Sequence, residues 1–573
     1  MEKLKNCGPL WSVFAVIGAY IVIAMVITFP FIAHPATTLT APVNGDVAAS
    51  VAKYEVTVQQ NQNPFTDGTL YGGGYPAGLY SNIGVDRVSF LSVAYLWLGS
   101  LTVGPVVTHS LEAISGMVLT AIIAFLFVRR ITGSLAAGAL AGLIFGFSPH
   151  MLSIARAAPT YTHMWMLILP LWAIWECAVR PFTWKWVALA AGSVVISIFW
   201  TPYFLLHACI VGGFSLLILL IVWWRRDGFR WRNLAAAATI FGTWVVALLL
   251  FWFIGTHSPS THVPARTIAE IYGQSADIRM YLLPGHFSGW GQDLNKILVE
   301  AVPRAIATNL YIGLSSTALL IIGFAYAMRR RIVLTPKDKA NNERAKHDTG
   351  IKIAGVMAGV CLLACFLFSL PPTVHLFGHS ISTPNDIIAH IVPVLRAGQR
   401  FIMAMMGLVA VLAGIGLYVL QKHTNHYMLR AALITTIFVV VSIDIWALPP
   451  QMATVIPTSK ALAILRAEPA GPVAHYQRGS VLGFPGQFPC LLQEQHNKVL
   501  VNDCVLGRPD SAPNQAPAQL ASLDIMPLCD QMAELKKRGV KYIISSSKSK
   551  AERACLPADA TLAKDSIYTV SRL

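Results

Sequence analysis

The chain has 573 residues, of which 55% are hydrophobic and only 12% charged, with a formal net charge of +16. Soluble globular proteins carry about 25% charged residues, so this composition excludes a cytosolic enzyme, a disordered protein and a nucleic-acid-binding module. Recurrent apolar runs of about 20 residues put most of the chain in a bilayer, and the positive charge reads first as a topology signal.

The first run, 10–33, follows a short head containing Lys3 and Lys5. It is long and has no small-residue cleavage site, so it reads as a retained signal-anchor helix. Ten further spans are expected at 109–128, 133–149, 162–179, 184–200, 203–224, 233–254, 306–328, 351–370, 401–420 and 428–447. The shorter, Gly-broken stretch 88–105 is expected at the outer interface.

With eleven spans and an inner N-terminus, one side collects twenty Lys and Arg residues, among them Arg129, Arg130, Arg225, Arg226 and the 329–352 loop. The other side, before the tail, receives nine. That bias orients the long loops 34–108 and 255–305 outward. The expected location is a bacterial plasma membrane, with the N-terminus cytoplasmic.

Two domains are expected, a membrane module at 1–449 and a soluble α/β domain at 450–573. The tail carries strand-like runs at 479–484 and 540–545 and helical patterns at 459–468 and 530–538. Eleven spans put it outside. Its four cysteines, Cys490, Cys504, Cys529 and Cys555, suit an oxidising compartment. Four cysteines allow three pairings, of which Cys490–Cys504 with Cys529–Cys555 is preferred. No zinc-type spacing occurs.

Charged groups kept in an apolar protein are expensive and need individual reading. Asp46 precedes Val47, Val51, Tyr54 and Val58, which recur at helical spacing. It would therefore open an amphipathic helix lying on the outer surface, either as a simple cap or as a base at the water–lipid boundary. Tyr75, in a Gly/Pro/Tyr-rich turn, offers an aromatic face to a sugar, although ordinary loops share that composition. Asp277, Arg279 and His286 can line one cavity mouth, and His109, Glu112 and His163 fall near the outer ends of spans. Glu176 reads as the structural partner of Arg180, one turn on. Arg396 and Arg400 are four residues apart at the outer end of a span, where they serve either as lipid anchors or as ligands for a phosphate.

One signal anchor, an outer loop opening with an acid, about ten further spans and an external tail together resemble the GT-C glycosyltransferases. The phrases Asn63-Pro64-Phe65, Gly73-Gly74-Tyr75-Pro76, Ser275-Ala276-Asp277, Leu283-Pro284, Leu395-Arg396-Ala397, Arg400-Phe401 and Gly539-Val540-Lys541-Tyr542-Ile543-Ile544 are similar to a bacterial branch of that superfamily. The resemblance implies an α-helical polytopic membrane enzyme moving a sugar from a polyprenyl-phosphate donor to an extracytoplasmic glycan, lipid or protein. It also implies that Asp46 is the catalytic base and that Arg396 and Arg400 hold the leaving phosphate. Many members carry an acidic pair where this chain has Gly45-Asp46, and the next acid, Glu55, lies half a turn out of phase. A metal-independent base is therefore expected, with no cofactor and no nucleic-acid partner. A polysaccharide ligase or polymerase, a transporter and a non-catalytic assembly protein are the rival readings.

Overall fold

The computed structural model describes residues 10–41, 46–67, 69–70, 79–80, 83–228, 230–257, 267–284, 309–329, 343–376, 378–391, 398–445, 453–476, 491–501, 523, 526–546 and 555–573. Helix α1 (Leu10–Ile27) leads to strand β1 (Thr38–Leu39) and helix α2 (Asp46–Gln59). The hairpin β2 (Thr69–Leu70) and β3 (Leu79–Tyr80) precedes α3 (Ile83–Val88) and α4 (Phe90–Val103). The bundle follows with α5 (Pro105–Thr132), α6 (Leu135–Gly146), α7 (Pro149–Ala157), a 3-10 turn (Pro159–Thr162) and α8 (Trp165–Val179). It continues with α9 (Trp184–Trp200), α10 (Pro202–Asp227), α11 (Trp231–His257), α12 (Ile268–Gly273), α13 (Ile278–Leu282), α14 (Leu314–Met328) and α15 (Glu343–Ser369). After the hairpin β4 (Thr373–Leu376) and β5 (His379–Ser382) come α16 (Pro384–Ile391), a second 3-10 turn (Gly398–Phe401), α17 (Ile402–His423) and α18 (Tyr427–Ile445).

Among the described residues, eight helices are long and apolar enough to cross a membrane, or nine if the bent pair α6–α7 forms one span. Each of the eleven runs read from sequence contains a helix among the described residues, but α9 and α14 are shorter than a full span and the run at 133–149 is broken. The break has a local cause: Ser148-Pro149 restarts the helix, with the Ser148 hydroxyl accepting from the Met151 N–H. Other ends are equally local. Helix α5 starts at Gly104-Pro105 and stops at Gly133, which adopts a positive φ of 72° after Arg129 and Arg130.

Helix α17 is apolar on all sides and lies almost entirely inside the bundle. Its approach to α14 depends on glycine: a Cβ on Gly416 would fall 2.1 Å from the Leu319 carbonyl oxygen, and one on Gly323 2.1 Å from that of Leu412.

The tail adds β6 (Thr454–Val455), α19 (Lys460–Ala467), β7 (Val473–Tyr476), α20 (Gln493–His496), α21 (Leu528–Lys537), β8 (Tyr542–Ser546), β9 (Thr561–Lys564) and β10 (Tyr568–Arg572). Its sheet runs β7-β8-β10-β9, with β7 parallel to β8 and the other pairs antiparallel. Cys529 and Cys555 form a disulfide. Cys490, Cys504 and the strand expected at 479–484 lie outside the described residues.

The first loop is not a surface feature beside this tail. Strand β1 pairs with β6, and Val47, Ala48, Val51, Ala52 and Val56 of α2 enter one core with Leu462, Leu465, Leu492 and Ile544. Helix α2 was expected to lie on an outer surface with a polar face outward. It is instead enclosed, because Ala48, Ala52 and Val56 extend the apolar surface beyond the Val47–Val51–Tyr54 stripe.

Candidate active site

Asp46 is the first residue of α2, and its side chain lies outside the described ones. One turn later, the Ser50 hydroxyl meets His109 Nε2 at 2.8 Å, while His109 Nδ1–H donates to the Pro105 carbonyl at 2.8 Å. His109 therefore ties the start of α2 to the first turn of α5. The Tyr54 ring lies 5.7 Å from the imidazole, and the adjacent Lys53 pairs with Asp86 at 2.5 Å. Burial, reinforced by the Asp86 and Glu112 carboxyls, pushes the Tyr54 phenol well above its ordinary range, so it stays protonated.

Glu112 follows His109 by three residues on the same helix face. It is fully buried, and neither carboxylate oxygen completes a hydrogen bond with the described residues. The Thr160 hydroxyl faces it. Thr160 belongs to the 159–162 turn, which organises this end of the bundle. Thr162 Oγ1–H donates to the Pro159 and Glu112 carbonyls, at 2.6 and 3.3 Å, and the Trp200 indole N–H donates to the Thr160 carbonyl at 2.8 Å. The turn fits this tightly only because residue 116 is glycine: a Cβ there would lie 1.8 Å from Thr162 Oγ1.

Tyr161 turns the other way. Its hydroxyl accepts from the Arg400 guanidinium at 3.0 Å, and that group stacks 3.9 Å from the Tyr203 ring centre. A guanidinium held against aromatic rings keeps its fork fixed in place, which suits recognition of a phosphate. His150 and His207 stand within electrostatic reach of Arg400 and of each other. Their Nδ1–H groups donate to the Asn309 and Tyr203 carbonyls, and among the described residues neither Nε2 has a hydrogen-bond partner. The His163 ring lies 4.5 Å from that of Trp200, tilted by 54°, and its Nδ1 accepts from the Trp165 indole at 3.1 Å.

His109, Glu112, His163 and Arg400 thus gather around the N-terminal ends of α5, α8, α10 and α17. Asp277 and Arg279 behave differently. Asp277 caps α13 and holds Arg279, which is exposed, in a two-pronged pair at 2.8 and 2.9 Å. Tyr75, His286 and Arg396 lie outside the described residues. Among the described residues, no group of three or more His, Cys, Asp or Glu is placed to hold a metal. Sequence reasoning missed Ser50, Thr160, Tyr161, Tyr203, His150 and His207. A usable signal existed for one pair: Tyr203 and His207 sit one turn apart at the polar end of a span, just after Thr201-Pro202.

Residues 61–446 match the family described as a domain of unknown function, DUF6311. The chain belongs to that family. No curated protein matches it in sequence. Among solved structures, ArnT from Cupriavidus metallidurans bound to undecaprenyl phosphate is similar over 97% of both chains, with a TM-score of 0.51 and 14% identity. The apo oligosaccharyltransferase of Archaeoglobus fulgidus matches 94% of this chain and 70% of its own, with a TM-score of 0.49 and 10% identity. The fold of this DUF6311 member is GT-C-like, and the chain is a multi-pass membrane protein.

Proposed function

We propose that the protein is a glycosyltransferase that moves a sugar from a polyprenyl-phosphate-linked donor to an extracytoplasmic acceptor in a single displacement. The observation carrying this reading is the braced Arg400 guanidinium, joined through Tyr161 to the same turn that meets α5 beside the start of α2. A GT-C-like fold shared with a protein crystallised with undecaprenyl phosphate supports it by analogy.

In this mechanism the acceptor hydroxyl attacks the anomeric carbon and gives its proton to Asp46. The bond from that carbon to the phosphate oxygen breaks. The lipid phosphate leaves with the bonding pair, and Arg400 and Arg396 stabilise its charge. The N-terminus and the α2 end of the bundle occupy opposite sides of the membrane, cytoplasmic and extracytoplasmic respectively. The tail domain encloses α2 and so sets where Asp46 stands.

A test uses the full chain in nanodiscs with radiolabelled polyprenyl-phosphate sugars, measuring transfer and slow release of sugar to water. Asp46→Asn is expected to lower turnover by about 10²–10⁴-fold while leaving the fold intact. Near-wild-type turnover in that variant would remove Asp46 from the mechanism. The two imidazoles flanking Arg400 favour a second reading, a polysaccharide ligase or polymerase working with Arg and His. That reading gains if His150→Gln or His207→Gln abolishes transfer and Asp46→Asn does not.

A further inference from the structure

The turn that carries Arg400 is held along its whole length. Of its four residues, Gly398, Gln399 and Phe401 are buried, and Arg400 alone is half-buried. The Phe401 ring packs 4.6 Å from the His207 imidazole and lies stacked 5.9 Å from Phe368. Gly398 sits so close to its neighbours that a Cβ there would meet Asn385 Nδ2 at 3.1 Å and the Ser369 carbonyl oxygen at 3.2 Å. Gln399 is bound twice to one residue. Its backbone N–H donates to the Gln274 carbonyl at 3.0 Å, and its side-chain Nε2–H donates to Gln274 Oε1 at 2.7 Å.

Gln274 belongs to the link between α12 and α13, 125 residues earlier in the chain. That link is itself tied down. Ser275 Oγ–H donates to the Ile271 carbonyl at 2.7 Å, and the Ala276 N–H donates to the Ser369 carbonyl at 2.8 Å. Asn385, near the start of α16, donates to the Leu370 carbonyl at 2.8 Å. The α12–α13 link, the end of α15 and the start of α16 thus form one hydrogen-bonded frame, and Gln274 joins it to the turn. A guanidinium recognises a phosphate by geometry, which must hold to within about 0.5 Å. Tyr161 and Tyr203 brace its far end. That brace works only if the backbone at residue 400 stays within reach of both rings. Two bonds to one partner fix the preceding residue against sliding and rotation, where a single bond would act as a pivot.

We infer that Gln274 is a positioning residue for the lipid phosphate: it holds Gln399 and so seats the backbone from which Arg400 reaches Tyr161 and Tyr203. The inference rests on the reading of Arg400 as a ligand of the donor phosphate. Gln274 acts on that phosphate only through the arginine. Its removal therefore lowers donor affinity while Arg400 is present and has nothing to lower once Arg400 is gone.

The test measures binding of undecaprenyl phosphate to the full chain in nanodiscs of zwitterionic lipid. Gln274→Met keeps the length of the side chain and removes its acceptor, and Gln399→Met breaks the same bond from the other side. Each should weaken binding about fivefold, the worth of one neutral hydrogen bond, and Arg400→Ala about tenfold or more. Adding Gln274→Met to Arg400→Ala should bring no further loss, the non-additivity expected of a residue that works through another. Glu176→Ala, at the other end of α8, should be less stable than either methionine variant yet bind as the wild type does. A full fivefold loss on top of Arg400→Ala would overturn the inference, since Gln274 would then act independently of the arginine. Unchanged affinity in both methionine variants, with Arg400→Ala still weakened, would also overturn it. In both cases the Arg400 phosphate site would survive. A matching loss in Glu176→Ala would overturn the inference too, because affinity would then follow stability and not the seating of one side chain. Unchanged affinity in Arg400→Ala would overturn the role of Arg400 in the donor reading and this inference together.

Discussion

Glu112 and Glu176 are both buried glutamates on helices of the same bundle, and their surroundings are opposite. Glu176, on α8, accepts from Arg130 at 3.0 Å, from Arg180 one turn later, and from the Trp172 indole at 3.3 Å. Both arginines are nearly half exposed, so the carboxylate is held by cations that reach out to the polar boundary. Glu112, on α5, has no such cation and no completed hydrogen bond among the described residues. The first arrangement is complete by itself and needs no ligand. The second has only the Thr160 hydroxyl facing it and no ion pair among the described residues. Residue type alone does not tell these two surroundings apart; the tertiary contacts of each carboxyl do.

Four measurements can break or sharpen that contrast. The largest stability effect is expected at Glu176. Glu176→Ala strips three donors of their acceptor and should cost about 2–3 kcal/mol in thermal unfolding, below the range for a sealed ion pair because Arg130 and Arg180 reach solvent. If Glu112→Ala proves equally costly, the distinction between the two acids fails. At the opposite end, Arg400→Lys keeps the charge but loses the flat fork and its stacking on Tyr203. Undecaprenyl phosphate affinity should then fall about tenfold, or roughly 1.4 kcal/mol. Unchanged affinity would reduce Arg400 to a lipid anchor.

Gly116→Ala should shift the 159–162 turn and cost about 1 kcal/mol of stability. It should also weaken binding of the lipid phosphate, since Tyr161 moves with the turn. Loss of stability with lipid binding intact would show that the turn does not position Arg400.

The smallest effect concerns a third buried polar pair. His475 and His496 meet at 3.4 Å between their Nε2 atoms in the tail domain. Burial, then the facing imidazole, holds His475 well below its usual 6.5; burial, then Lys498, holds His496 at about 3. Both folded values lie below the unfolded one, so their contribution is complete above pH 6.5 and is lost as pH falls toward 3. Asp565 acts in a lower window. Burial would raise its carboxyl, but hydrogen bonds from Ser459, Tyr568, Ile567 and Ala461 bring it to about 2. Its contribution is present above the usual 3.8 and disappears as pH falls through 2. Tail unfolding should therefore become easier from pH 6.5 downward, and His475→Gln should flatten the upper part of that slope. An unchanged slope would remove the pair as its source.

How far the sequence reached follows the range of the interactions. The apolar runs, the Ser148-Pro149 restart and the Glu176–Arg180 pair depend on neighbours within a turn or two, and all three are legible in the chain. The Cys529–Cys555 bond was among the pairings the tail allowed, and the fold chose it. The enclosure of α2 required β1 to meet β6 more than 400 residues away, and no local pattern announces that contact. Likewise, nothing in Glu112's own segment reveals that no cation approaches it, and nothing beside Arg400 reveals Tyr161, 239 residues earlier.

Hydrophobic length and helix punctuation are properties of contiguous residues, so the sequence alone determined a polytopic helical protein with a folded polar tail. Whether a buried charge is neutralised, and which aromatic face braces which guanidinium, are properties of residues distant along the chain. Only the tertiary structure decided those, because burial and partnering exist only once the helices have packed.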